Sequence, residues 1–262
     1  MTDANRTDAN GLDLRRIEEA GLNALQTQRQ LFYDGWLLRL SDGKAKRARS
    51  VNAVFGSTLP LARKIGHCEK IYAQHGLAPL FRMTPFDCPQ DLDDVLAARG
   101  YLAFDETLVQ AAHMECAPEV PDAPDDVEVA ALGVDAFVEA VGDLCGADAA
   151  QRDGHRERLV NSPLEKRSVT VTAASRVVCA AQVAIEGGLV GVFDVNTAED
   201  ARGKGYATLA CASLLSWAWQ HGANVAYLQV KADNAPAIAI YRKFGFATVY
   251  TYHYRGQPGK CE

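Results

Sequence analysis

Beyond residue 126 the apolar positions switch between two spacings in a fixed order. "VEVAA", Val127 to Ala131, alternates and predicts a short strand, and from Asp135 to about Val160 the recurrence is helical. Next, "RSVTVTAASRVVCAAQVAIEGGLVGVFDVNT" holds β-branched runs broken by "AS" and "EGG". These read as three antiparallel strands joined by tight turns. Lys204 to His221 is rich in Ala and Leu and predicts a helix stopped by Gly222. "NVAYLQVKA" predicts a strand. "DNAPAIAIYRKFG" predicts a helix capped by Asp233 or Asn234 and stopped at Gly245. "FATVYTYHYRG" alternates again. The order β-α-α-β-β-β-α-β-α-β implies an α+β fold around a mixed, mainly antiparallel sheet flanked by helices.

"ECAPEVPDAPDDVEV", Glu115 to Val129, holds three prolines and several acidic residues between two periodic regions. Proline forbids helix interiors and favours extended connectors. A boundary there divides the chain into residues 1–118 and 119–262. The two parts echo each other. "QHGLAPLFRMTPFDCPQDLDDVLAARGYLAFDETLVQ" follows the same sequence of signals as "QHGANVAYLQVKADNAPAIAIYRKFGFATVYTYHY". Gly76 and Gly222 are 146 residues apart, and Gly100 and Gly245 are 145 apart. An offset that stable predicts two copies of one unit.

Composition narrows the function. A net charge of −6 leaves no basic excess for nucleic acid. The local cluster "KAKRARS", Lys44 to Ser50, reads as a solvated strand or loop. The seven cysteines are scattered without a C-x-x-C pair, as expected of thiols used as apolar filler in a reducing compartment. No Cys/His group has metal-ligand spacing, so no metal is expected. The polar start "MTDANRTDANGLDL" lacks a signal-peptide core, and no apolar run approaches the ~20 residues of a membrane span. A cytoplasmic protein with no membrane or nucleic-acid partner is expected. The oligomeric state is not legible.

The chemistry concentrates in "RGKGYA", residues 202–207, between a β-branched run and a helix. The first N–H groups of a helix lack intrahelical acceptors, and the helix dipole adds partial positive charge. Gly203 and Gly205 let backbone approach a ligand closely, while Arg202 and Lys204 bring formal charge. That combination selects phosphate, a diphosphate above all. A P-loop does not fit, because Lys204 is followed by Gly205 and the first glycine is missing. A dinucleotide fingerprint does not fit either, since Thr208 takes its third glycine position. "RGKGYA" does satisfy R-x-x-G-x-[GA]. About 27 residues on, Asn234, Ala237, Tyr241, Gly245 and Phe246 satisfy N-x-x-A-x-x-x-Y-x-x-x-G-F.

At these two motifs, over about Val127 to Arg255, the chain resembles the GNAT superfamily of N-acetyltransferases. The resemblance implies two GNAT-like units, the first degenerate and the second catalytic. Opposite "RGKGYA" the first offers only "VFGSTLP". It also implies acetyl-CoA as cosubstrate. The pyrophosphate would lie on Arg202, Gly203, Lys204, Gly205, Tyr206, Ala207 and Thr208, and backbone donors of Val195, Asn196 and Thr197, on the splayed strand just before the loop, would meet the thioester oxygen. Asn234 would hold the pantetheine arm unless it serves only as an N-cap. Tyr241 would protonate the departing thiolate, the alternative being helix-face packing.

An amine of pKa near ~10.4 is mostly protonated at neutral pH, so deprotonating it costs on the order of 4–5 kcal/mol unless a base assists. Relatives carry a glutamate where this chain has Gln229, and a neutral amide accepts no proton. Asp194 is the substitute, with a water chain, Glu106, or an acceptor arriving deprotonated as alternatives. Trp36, Arg39 and Asn52, with Arg49, are candidates for orienting the acceptor, or are simply parts of two surface strands. An acidic protein favours small amines, amino acids or basic peptides as acceptors. Two other functions fit the loop: a non-catalytic acyl-CoA sensor or scaffold, and a nucleotide site.

Overall fold

The computed structural model describes residues 7–8, 11–43 and 45–259. Met1 to Arg6 of the polar N-terminus, Lys44 and Cys261 therefore lie outside the described residues.

The C-terminal half follows the predicted order. It runs β6 (Val127–Leu132), α4 (Val134–Cys145), α5 (Ala149–Val160), β7 (Glu165–Ala173), β8 (Arg176–Glu186) and β9 (Leu189–Thr197). Then come α6 (Tyr206–Gln220), β10 (Val225–Lys231), α7 (Ala235–Arg242) and β11 (Ala247–Gly256). The turns predicted at "AS" and "GG" put two successive residues at positive φ: Ala174 at 48° and Ser175 at 61°, then Gly187 at 54° and Gly188 at 85°. That is the geometry whose twist matches hairpin strands. Gly222, at φ 86°, closes α6 as expected.

The N-terminal half holds α1 (Leu14–Ala24), β1 (Gln30–Tyr33), β2 (Trp36–Arg39), β3 (Val51–Asn52), α2 (Leu61–Gln74), β4 (Leu80–Met83), α3 (Leu92–Ala98) and β5 (Leu102–His113). β3 runs parallel to β4, as β9 does to β10, so the repeat seen in the glycine spacing is repeated in topology.

All eleven strands form one sheet, ordered β1-β2-β3-β4-β11-β5-β10-β9-β8-β7-β6. The halves have exchanged their last strands. β5 lies against β10 over Thr107–His113, and β11 lies against β4 over Leu80–Met83. A cut at 118/119 thus divides the chain into stretches whose final strands each belong to the other's part of the sheet. Between the two main cores sits a third apolar cluster, with Ile17, Leu80, Val109, Tyr227, Tyr250 and Tyr252. It binds the halves together across the exchange. Beneath it Tyr250 donates to Glu18 at 2.7 Å, and Glu18 pairs with Arg82 in a buried ion pair.

α6 is buried along Ala210, Cys211, Ala212, Leu214, Leu215 and Ala218. The small residues let it lie close on β7 and β8, which fixes where its N-terminus opens.

Candidate active site

β9 and β10 are paired only from Leu189 to Val192 on one strand and Val225 to Leu228 on the other. Beyond that they part. The separation coincides with a bulge: the β8–β9 register slips between Ala180 and Gln182, and Asp194 takes φ 50°. The edge of β9 from Phe193 to Thr197 is left without a ladder partner on the β10 side. The strand there borders an open cleft, which Asp194, Val195, Asn196, Gln229, Asn234 and Tyr241 line.

The "RGKGYA" loop follows β9 through a single 3-10 turn at Glu199–Ala201. Gly203 and Gly205 have φ of 78° and 87°, a region that L side chains avoid. A Cβ built on either would meet nothing within 4 Å, so the space before the loop is free. α6 begins at Tyr206 without a side-chain cap, which leaves its first-turn N–H groups facing that space. Arg202 and Lys204 are exposed beside it. The donors, the charge and the free volume fit a diphosphate.

Tyr241, on α7, is 9% exposed. Burial pushes its phenol far above the ordinary range, with the Cys211 and Cys179 thiols adding to the effect, so it remains a proton donor. Asn234 is the N-cap of α7, accepting from the Ala237 N–H at 3.2 Å. Its amide nitrogen stays available to the cleft.

Asp194 is held on two sides. His155 Nε2 lies 2.9 Å from its Oδ2, and the Gln182 amide donates to the same oxygen. Burial works against ionisation, yet the His155 hydrogen bond and charge, the Gln182 amide and the Arg158 charge outweigh it and hold the carboxyl below its usual value. A carboxylate so stabilised is a poor proton acceptor and a good anchor for an imidazole. His155, on α5, faces the same cleft and has its Nδ1 away from that bond. No signal in the sequence marked it, being a single histidine on a polar helix.

Other expected site residues lie elsewhere. Trp36 is fully buried in the N-terminal core and donates to the Cys88 carbonyl at 2.9 Å. Arg39 is buried and donates to the Leu22 and Leu25 carbonyls at 2.8 and 2.9 Å. Asn52 lines a separate, smaller cavity with Glu18, Arg82 and Asp87. None of the three reaches the cleft. Glu106 is exposed and outside it as well. Gln229 borders the cleft, where its side-chain oxygen accepts from Tyr252 at 3.0 Å. Missed by the sequence reading were Arg47, Arg158 and Lys166, which line the cleft along with Lys46 and Lys231. Arg47 belongs to the "KAKRARS" cluster expected to be a solvated loop. Among the described residues no group of three or more His, Cys, Asp or Glu is placed to hold a metal, and no helix is long and apolar enough to cross a membrane.

Three comparisons bear on this site. The family described as "Probable histone acetyltransferase Rv0428c C-terminal" matches residues 12–255. The "Uncharacterized N-acetyltransferase YobR" of Bacillus subtilis is 27% identical over 251 residues, covering 93% of this chain and 98% of that protein. The chain is similar in structure to a GCN5-related N-acetyltransferase from Kribbella flavida, at TM-score 0.69 and 20% identity over 94% of this chain and 95% of the other. It is also similar to a tandem GNAT protein from the clavulanic acid biosynthesis pathway, at TM-score 0.61 and 16% identity over 74% and 68%. The family match spans both halves and the exchanged strands. The chain therefore belongs to that family within the GNAT superfamily of N-acetyltransferases, and it is an acyltransferase.

Proposed function

We propose that the protein moves an acetyl group from acetyl-CoA to a primary amine of a small molecule or peptide, with residues 119–262 carrying the chemistry. The observation that carries this reading is one cleft lined by the free edge of β9 at Val195 and Asn196, by Asn234 and by Tyr241, with the uncapped mouth of α6 following β9 in the chain. Acetyl-CoA, when bound, supplies an acyl thioester at the point where β9 and β10 diverge.

Each residue then has a task. The N–H groups of Gly203 to Thr208, with Arg202 and Lys204, hold the diphosphate. Those of Val195 to Thr197 donate to the thioester oxygen as it gains charge. Asp194 fixes His155 with Nε2–H toward the carboxylate, so that Nδ1 takes the proton of the attacking amine, directly or through one water. This reassigns Asp194 from base to positioning residue. It also supplies the proton acceptor that Gln229 cannot be. Tyr241, kept protonated by burial, gives its proton to the departing thiolate. The six described cysteines are unpaired, which suits the cytoplasm.

The test is a thiol-release screen with acetyl-CoA over amino acids, polyamines, aminoglycosides and peptides, run beside melting measurements with acetyl-CoA, ATP and NAD. Thiol release with an amine, and stabilisation by acetyl-CoA alone, is the expected pair of results. A ligand at ~100 times its dissociation constant adds roughly 2.7 kcal/mol. Stabilisation by ATP or NAD instead would overturn the reading.

A further inference from the structure

The acceptor end of the cleft has more cationic charge than the residues of the chain neutralise. Five cations line the cleft, Lys46, Arg47, Arg158, Lys166 and Lys231, against the single carboxylate of Asp194. Lys46 and Lys231 are accounted for, since both pair with Asp105, at 2.6 and 2.7 Å. Asp194 is taken by His155 and Gln182. Arg47 and Arg158 are different. The Arg47 Nη1 and the Arg158 Nε are buried with no hydrogen-bond partner. Arg47 lies 5.8 Å over the Phe193 ring, beside the bulge that presents Asp194. Arg158 comes from the same helix as His155, three residues on, and a Cβ on Gly43 would sit 3.3 Å from its Nη1. The two guanidinium groups come one from each half of the chain: burial lowers the Arg158 pKa most, the Asp194 and Glu157 charges raise it, and Arg47 lowers it further.

A guanidinium nitrogen taken out of water without an acceptor costs the desolvation penalty of a charged donor. With both side chains lining one cleft beside the proposed base, the pair makes a site built for an anion that arrives with the substrate. We infer that the acceptor amine carries a carboxylate, gripped between Arg47 and Arg158. A planar carboxylate matches the guanidinium fork, and holding it there would bring the amine toward His155. The same charge repels polycationic peptides, lysine-rich tails included. The local field therefore reverses what the acidic composition of the whole chain implies. The inference rests on the acetyl-transfer reading, and deepens it.

The experiment measures kcat/KM at saturating acetyl-CoA for the twenty standard L-amino acids and their α-carboxamides. Phosphoethanolamine with ethanolamine, and a lysine-rich peptide, are included. At least one amino acid is expected to exceed its amide by about 10–100-fold, the value of one to two charge-assisted hydrogen bonds. Arg47→Met and Arg158→Met should each collapse that ratio through KM. Equal rates for acids and amides, a ratio unchanged in both variants, preference for phosphoethanolamine, or preference for the lysine-rich peptide would each overturn the inference. Melting shifts with the N-acetyl amino acids and their N-methylamides, taken in the presence of CoA, read the anion site without turnover. A shift specific to the carboxylate in the native protein, and lost in Arg158→Met, upholds the site even if no amine releases thiol. No such specificity refutes it.

Discussion

Two helices, α2 and α6, start at the same place in the repeat, each after a strand that runs parallel to the next strand of its own half. The loops before them have opposite fates. In the loop before α2 the carboxylate of Asp34 accepts from the Thr58 and Leu59 N–H groups at 3.0 and 2.9 Å and from the Thr58 hydroxyl at 2.7 Å, while α2 itself starts after Pro60 without a side-chain cap. Hydrogen bonds from the Leu59 backbone and the Thr58 side chain, with the Lys64 charge, hold the Asp34 carboxyl well below the usual range. Lys64 itself is buried against the Trp36 ring at 3.9 Å and donates to the Asp34 carbonyl at 2.7 Å. The N-terminal half thus ties the loop before its helix to its own carboxylate. At α6 nothing of the kind happens: Gly205 supplies no cap and the space in front stays open. The loop before one helix is held by the chain's own carboxylate, and the loop before the other is left open. A similar contrast holds further along. Counting back 145 residues from Tyr241 reaches Leu96, an apolar side chain fully buried in the N-terminal core.

The comparison can be broken from the catalytic side first. His155→Gln should lower kcat/KM by about 10²–10⁴ and abolish the acid limb of the pH–rate profile, with acetyl-CoA affinity kept. Steady-state rates across pH check this, and an unchanged acid limb would remove His155 as base. Next, Gly205→Val gives α6 an obstructed mouth in place of an open one. A β-branched residue at φ 87° is strained by roughly 1–3 kcal/mol, and its side chain enters the ligand's space. CoA affinity should fall by ~100-fold or more in a calorimetric titration, since several charge-assisted contacts are lost together. Melting curves separate the strain from the lost site.

Tyr241→Phe makes the C-terminal half resemble Leu96 in the N-terminal half. Turnover should fall roughly tenfold to a hundredfold at constant CoA affinity. Equal turnover across pH would leave Tyr241 a packing residue. The smallest effect is expected from releasing the loop before α2. Asp34→Ala should lower the melting temperature by a few degrees without changing CoA affinity. The sign of its pH dependence follows from the direction of the shift. A carboxyl depressed on folding stabilises above its unfolded pKa near 3.8 and loses that contribution as pH falls through the lower folded value. The native-minus-variant difference should therefore be constant at neutral pH and disappear in acid.

Much of this fold is legible in the sequence because its signals are local. Positive-φ turns announce themselves as "AS" and "GG", helix stops as Gly222 and Gly245, and the loop as "RGKGYA". The strand exchange is not legible, because the alternation of "FATVYTYHYRG" records which face of the strand is buried and says nothing of its neighbour. β11 could have paired with β10, and instead β5 lies between them. The same limit applies to the site. Tyr241 and the loop belong to short motifs, whereas His155, Arg47 and Arg158 meet Asp194 only once α5 and the segment before β3 fold over the bulge. Trp36 and Arg39 failed as acceptor residues for the converse reason. The Trp36 Nε1 and the two Arg39 Nη atoms, taken by the Cys88, Leu25 and Leu22 carbonyls, look no different in sequence from atoms waiting for a substrate.

The claim on which the rest stands is that α6, and not α2, grips the carrier. A crystal structure with bound acetyl-CoA tests it most directly. The expected result puts the diphosphate against the N–H groups of Gly203 to Thr208 and the sulfur within hydrogen-bonding reach of the Tyr241 hydroxyl. A diphosphate found at the α2 entrance, or a sulfur remote from Tyr241, would contradict it.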